Sequence, residues 1–143
     1  MVKLNKIYTR TGDSGTAGLV DGSRVTKSSL RMTAIGEVDE ANAAVGVAIA
    51  ALGGGETALA LLCVQNELFD LGADVATPGD LDGALRIVAS QVARLEIEID
   101  EMNATLAPLT SFILPGGSAD VAALHLARTV VRRAERAAVA LNE

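Results

Sequence analysis

Leu85, Val88, Val92, Leu95, Ile99 and Met102 recur at alternating steps of three and four residues. That heptad spacing constrains the fold more than anything else in the chain, because such a row lines one seam of a helix and needs neighbouring helices to cover it. Two further rows share it: Val38, Asn42, Val45, Ile49 and Leu52, then Leu61, Val64, Leu68, Leu71 and Val75. Breakers separate the rows. Gly53-Gly54-Gly55 stops the first, Pro78-Gly79 follows the second and Pro108 the third. The pattern predicts helices over Arg31–Leu52, Glu56–Ala76, Leu81–Leu106 and Ala119–Leu141, the last capped by Ser118. Short connections between four helices predict an all-α, antiparallel up-and-down bundle with crossings of about 20°. No stretch carries a strand pattern, although Lys6–Arg10 and Phe112–Leu114 suit locally extended backbone.

Half of the 143 residues are apolar, yet the aromatics are two Phe, one Tyr and no Trp. The core is therefore built from Ala, Val, Leu and Ile, and alanine lets helices approach closely. Ala43, Gly46 and Ala50 offer the first helix such a small-residue face. The length fits one domain over 1–143. Within it, 1–29 is an ordered loop segment, with Gly12, Gly15, Gly18 and Gly22 set among Thr, Ser and Asp, and 30–143 holds the helices.

A net charge of −6 excludes general nucleic-acid binding, which needs a basic surface to displace phosphate counterions. The lone cysteine, Cys63, excludes an intrachain disulfide and a multi-cysteine metal site. Its apolar run, Leu61-Leu62-Cys63-Val64, predicts a buried structural thiol. The polar, basic start lacks the apolar stretch of a signal peptide, and no apolar run has membrane-spanning length. A soluble, cytoplasmic protein without a membrane partner is expected.

Arg128, Arg132 and Glu135 share one face of the last helix, preceded on it by Val121 and Leu124. A stripe that turns from apolar to Arg-Arg-Glu suits a phosphate-lined pocket, because guanidinium donates paired hydrogen bonds and keeps its charge. A solvated basic face, with Arg132 and Arg136 paired to Glu135, is the commoner explanation of such a pattern. The loop Thr9-Arg10-Thr11-Gly12-Asp13-Ser14-Gly15-Thr16, with Arg24-Val25-Thr26-Lys27, offers backbone N–H groups, hydroxyls and positive charge to a polyphosphate. It is not a P-loop, and an ordinary surface loop has the same composition. Glu37-Val38-Asp39-Glu40 suits the dipole at a helix start, or an ion pair to an arginine of the last helix, within the chain or between subunits. The single His125 has no second histidine or cysteine cluster beside it, so no protein-ligated metal is expected. Phe112 lies in a Pro- and Gly-flanked loop, where it would plug the bundle end or serve a site.

Three stretches taken in order resemble one family. They are Ile7–Thr16 with Arg24–Lys27; Gly36-Glu37-Val38-Asp39-Glu40-Ala41-Asn42; and Phe112-Ile113-Leu114-Pro115-Gly116-Gly117 followed by Leu124–Arg136. The chain thereby resembles the ATP:cob(I)alamin adenosyltransferases of the PduO type. The resemblance implies a ferritin-like bundle, a homotrimer and active sites between adjacent subunits. It implies that Thr9, Arg10, Gly12, Thr16 and Lys27 wrap the triphosphate of ATP, with Arg132 and Glu135 adding contacts from the last helix. Asp39 and Arg128 match a salt bridge that joins subunits at the site. Phe112 matches the residue on the lower face of cobalt, where it keeps the dimethylbenzimidazole base away.

The activity so implied is transfer of the 5′-deoxyadenosyl group of ATP to the cobalt of cob(I)alamin, with release of triphosphate. Mg²⁺ would accompany ATP, cobalamin is the second substrate, and a flavoprotein reductase is an expected partner. Two departures stand out. Gly15-Thr16-Ala17-Gly18-Leu19 replaces the common Gly-Thr-Thr-Ser-Leu, removing a hydroxyl near the nucleotide. Family members also continue into a further C-terminal helix that lines the corrin pocket, whereas this sequence ends at Leu141-Asn142-Glu143. The alternative from another class is a non-catalytic bundle that binds nucleotide or corrinoid as a carrier or sensor.

Overall fold

The computed structural model describes residues 6–142; the first five residues of the loop segment and Glu143 lie outside the described residues. Four helices dominate it: α1 (Leu30–Leu52), α2 (Glu56–Val75), α3 (Ala89–Asn103) and α4 (Ala119–Asn142). Ahead of them, β1 (Thr16–Gly18) and β2 (Arg24–Thr26) pair antiparallel, Thr16 opposite Thr26 and Gly18 opposite Arg24. The helical bundle is as expected. The hairpin is a correction, since its three-residue strands are too short for a period-two pattern to register. Neither Lys6–Arg10 nor Phe112–Leu114 forms a strand.

Local signals set the helix ends. Ser29 caps α1 by accepting from the Met32 N–H, and Gly53 closes it in the left-handed conformation (φ 70°) with its N–H on the Ile49 carbonyl. Ser118 precedes α4, its carbonyl accepting from the Ala122 N–H at 2.9 Å, while its hydroxyl donates to Asp120. The third helix starts at Ala89 rather than Leu81, and its first turn is tied by the Gln91 side chain, which accepts from the Val88 N–H at 2.8 Å. Asp74 explains the delay. Its carboxylate accepts from the Ile87 N–H at 2.9 Å and from Arg86 at 2.6 Å, and Arg86 also donates to the Thr77 carbonyl at 2.8 Å. Those bonds hold 81–88 as a folded-back connection, which leaves Leu85 and Val88 outside the helix.

The core forms around α1. Val38 and Ala41 pack with Val130 and Ala134, and Val45 and Ala48 with Ala127, so α4 runs antiparallel to α1. Leu61, Leu68 and Leu71 bring α2 against the same residues, also antiparallel. Ala34, Ala41 and Ala48 have no solvent exposure, and this alanine row is what lets α4 approach so closely. An ion-pair cluster locks that contact: Arg133 of α4 pairs with both Glu37 and Glu40 of α1. α3 has no buried residue, and Val92, Ile99 and Met102 of its heptad row are each more than half exposed. It is held to α2 through Arg94, which pairs with Glu67 as well as Glu98 of its own helix. The seam that the heptad row predicts is thus left uncovered in the single chain. Cys63 is exposed on α2, not buried, because Leu61 and Val64 take the inward positions on either side of it.

Candidate functional site

The N-terminal loop is organised by its own polar groups. Arg10 adopts a left-handed backbone (φ 60°), uncommon for a side chain of this size, and turns the chain so that Asp13 N–H donates to its carbonyl at 3.2 Å. Its guanidinium lies over the Tyr8 ring, 5.6 Å from the centroid. Thr9 and Thr11 share a hydroxyl–hydroxyl bond of 2.8 Å. The hairpin brings Lys27 back to this turn, and its N–H donates to the Gly15 carbonyl at 2.9 Å. The Lys27 ammonium passes so close to Gly12 that a β-carbon there would lie 3.0 Å from Nζ. The missing side chain of Gly12 thus leaves room for the end of Lys27. Asp21 accepts from the Ser23 hydroxyl and N–H, bonds that hold its carboxyl below the usual range, and so closes the tip of the hairpin.

The loop docks on the end of the bundle. Val20 N–H donates to the Ala76 carbonyl at 3.1 Å, and Arg31 donates to the Val75 carbonyl at 2.5 Å, so both use free carbonyls at the C-terminus of α2. Thr9, Arg10, Gly12, Thr16 and Lys27 therefore lie in one segment beside the α1 start. α4 places its C-terminal half at that same end of α1, through the pairing of Arg133 with Glu37 and Glu40.

Arg128, Arg132 and Glu135 do share one face of α4, but that face is exposed; the inward face is Ala127, Val130 and Ala134. The apolar stripe is not continuous with them as expected, since Leu124 packs against the core while Val121 is partly exposed. Arg132 lies 3.9 Å from Glu135, a loose pair with both side chains mostly in solvent. Among the described residues, Arg128 and Asp39 have no ion-pair partner, and no hydrogen bond or ion pair joins the loop to the α4 arginines. Phe112 is fully exposed (107 %) and plugs nothing within the chain.

Asp39 borders a feature the sequence did not reveal. An open apolar groove of about 340 Å³ runs between α1 and α2, lined by Met32, Ile35, Gly36, Asp39, Phe69 and Gly72 among others. Asn42 also lines it, and its buried Oδ1 has no hydrogen-bond partner. Gln65 donates past it to the Asn42 backbone carbonyl at 3.1 Å. An apolar trough with one carboxylate at its border suits a mostly apolar ligand. The arginine of the last helix that pairs with the acids of α1 is Arg133, meeting Glu37 and Glu40 within the chain. The signal for Arg133 was the spacing of Glu37 and Glu40, two acids three apart on a helix face, which an arginine fork can bridge. His125 is half-buried on α4, and no group of metal-ligand side chains is found among the described residues.

The cobalamin adenosyltransferase family model matches residues 7–143. The corrinoid adenosyltransferase of Mycobacterium tuberculosis is 54% identical over 142 residues, which cover 96% of this chain and 73% of that protein. That of Bacillus subtilis is 44% identical over 140 residues, covering 95% and 72%. Among solved structures, a PduO-type ATP:corrinoid adenosyltransferase variant from Lactobacillus reuteri, complexed with cobalamin and ATP, superposes with a TM-score of 0.86. It is 36% identical and covers 95% of this chain and 77% of that one. A second variant of the Lactobacillus reuteri enzyme, complexed with ATP, gives a TM-score of 0.81 at 37% identity, covering 94% and 77%. With the family model spanning almost the whole sequence and relatives above 50% identity, this chain belongs to the cobalamin adenosyltransferase family.

Proposed function

We propose that the chain transfers the 5′-deoxyadenosyl group of ATP to the cobalt of cob(I)alamin and releases inorganic triphosphate. The observation that carries this reading is the set of exposed charged groups on the N-terminal loop and on the outer face of α4, together with an apolar groove beside Asp39. Lys27 and Arg10 lie in the hairpin loop, Arg128 and Arg132 face outward from α4, and Asp39 lies on the lip of an apolar groove. Phosphate and corrin chemistry would use both halves of that arrangement. The relatives named corrinoid adenosyltransferases support the assignment.

In the reaction, the cobalt(I) lone pair attacks C5′ of the ribose, a Co–C bond forms and the C5′–O bond breaks. Triphosphate leaves with that electron pair, and cobalt becomes formally Co(III). No covalent protein nucleophile and no general base are needed. The protein's tasks are to align the two substrates and to stabilise charge on the leaving group. Lys27, Arg10 and Arg132 would share the second task, with Thr9, Gly12 and Thr16 supplying further donors and Glu135 holding Arg132. Mg²⁺ would enter on the triphosphate rather than in a protein cage, in keeping with its habit of retaining waters and phosphate ligands. The edge of the corrin and its amide side chains would occupy the groove beside Asp39.

Phe112 would cover the lower face of cobalt, excluding the base that otherwise stabilises Co(II). A flavoprotein reductase would then supply the electron that makes Co(I). The site would be completed by a neighbouring subunit, with Asp39 of one chain paired to Arg128 of the next in a homotrimer. The exposed rows on α3 and on Leu106, Leu109, Ile113 and Leu114 support further packing partners. ATP as substrate suits a cytoplasmic enzyme.

The test is a single-turnover reaction with chemically reduced cobalamin, ATP and Mg²⁺, following the corrin spectrum. Conversion to the adenosylcobalamin spectrum, strictly dependent on ATP, is expected. ATP binding with no change in the corrin spectrum would refute transfer and favour a carrier or sensor.

A further inference from the structure

Arg24 has no part in the chemistry described above, yet it makes the densest set of hydrogen bonds in the loop. It stands opposite Gly18 in the hairpin, and Thr16 lies diagonally across on the same face. Because Gly18 has no side chain, the Arg24 stem crosses it freely; Nη1 lies 3.7 Å from where a β-carbon at 18 would be. The guanidinium then reaches Thr16. Nε donates to Thr16 Oγ1 at 3.1 Å and Nη2 donates to the same oxygen at 2.8 Å. The second Nη2 proton is shared between the Thr11 carbonyl at 2.8 Å and the Thr16 carbonyl at 3.1 Å.

A hydroxyl has one proton to give and two lone pairs to receive. Both lone pairs of Thr16 Oγ1 are taken by Arg24. The hydroxyl proton can only be donated, and among the described residues it has no acceptor. Donation by a cationic fork also polarises the O–H and makes it a stronger donor. The same fork ties Thr11 to Thr16 across the turn that holds Gly12, the turn on which Lys27 rests.

We propose that Arg24 is a positioning residue of the nucleotide loop, committing the Thr16 hydroxyl proton to a phosphate oxygen of the bound nucleotide. The proposal rests on the reading of this loop as the ATP site. Arg24 acts through Thr16, not by touching ATP. The effect carried by the Thr16 hydroxyl must therefore vanish when that hydroxyl is absent. Lysine at position 24 keeps the charge but cannot place two donors on one oxygen.

The test is a double-mutant cycle on MgATP binding, measured by calorimetry on the full chain with Arg24→Lys, Thr16→Val and both together. Each single change is expected to weaken binding about tenfold, the size of one charge-assisted hydrogen bond, and the double change also about tenfold. Thr16→Ser, which keeps the hydroxyl, should remain sensitive to Arg24→Lys by the same factor. A double variant weakened about a hundredfold, the product of independent effects, would overturn the proposal. So would an Arg24→Lys protein that binds as tightly as the wild type. If the wild type itself binds no MgATP, it is the reading of the loop that fails.

Discussion

Replacing Gly12 by alanine isolates the contact between the loop and Lys27. The Gly12 backbone lies outside the left-handed region, so alanine adopts it without strain. The new β-carbon would lie 3.0 Å from Lys27 Nζ, 3.1 Å from Cε and 3.3 Å from the Thr16 carbonyl oxygen. The carbonyl belongs to the paired hairpin and stays, so the flexible lysine end gives way, by about 0.5 Å to reach an ordinary contact near 3.5 Å. At an effective dielectric of about 20, an ammonium about 3 Å from one phosphate charge gains about 5.5 kcal/mol, and at about 3.5 Å about 4.7 kcal/mol. The difference of about 0.8 kcal/mol corresponds to about fourfold in affinity.

Gly12→Ala is therefore expected to raise the Kd for MgATP about fourfold, with less effect in high salt. The melting temperature should stay within about 2 °C, because the loop is exposed and makes no core contact. Calorimetric titration and a thermal melt on the same sample measure both. Unchanged ATP affinity in a folded protein would refute the placement of Lys27 at the phosphates. A fall of more than about 5 °C in Tm would show that Gly12 serves folding instead.

Val38 is the largest fully buried side chain, 2 % exposed where α1 meets α4 and α2. Val38→Ala removes two methyl groups and leaves a cavity, so it should destabilise by about 2–3 kcal/mol and lower Tm by roughly 8 °C. Phe112→Ala should leave Tm unchanged, because the ring touches nothing in the chain, while it slows adenosylation far more than it weakens ATP binding. Equal losses in both assays would remove the proposed role at cobalt. Asp39→Asn should reduce turnover and shift the proposed trimer toward smaller species in size-exclusion chromatography; an intact, active trimer would count against the intersubunit pair. Burial raises the Asp74 carboxyl pKa, but the Ile87 N–H and Arg86 outweigh burial and hold it below the ordinary aspartate value of 3.8. Its folded pKa is depressed, so its stabilisation is fully present above pH 3.8 and lost as pH falls through the lower folded value. Asp74→Asn should flatten that part of the stability profile measured in urea, and an unaltered profile would contradict the assignment.

Elements that repeat a strong local signal were legible in the sequence, and those that depend on a partner were not. The Gly53 stop and the alternating steps of Val38, Val45 and Leu68 mark α1 and α2 closely, since periodicity and capping act within one turn. The start of α3 was hidden, because Leu85 and Val88 continue the heptad while Asp74, far back in the chain, draws Arg86 and Ile87 out of the helix. The hairpin escaped for a different reason: its strands are three residues each, too short for a period-two pattern, and they are held together by backbone pairing and Arg24 hydrogen bonds that no hydrophobic pattern records. Arg128, Arg132 and Phe112 stand out in the sequence, but their setting does not. Each is exposed on its own chain, and the role proposed for it depends on a ligand or a second subunit. The groove beside Asp39 arises from Gly36 and Gly72, where missing side chains leave space, and absence of bulk is hard to read from a string.

The most direct test of the central claim follows one carbon. ATP labelled with ¹³C at C5′ is mixed with the protein, Mg²⁺ and chemically reduced cobalamin, and the products are analysed by carbon NMR with quantification of triphosphate. The account predicts that the labelled carbon becomes bonded to cobalt and that one intact triphosphate is released for each such bond. Label that remains in ATP, or that appears with pyrophosphate and phosphate and no cobalt–carbon bond, would contradict it.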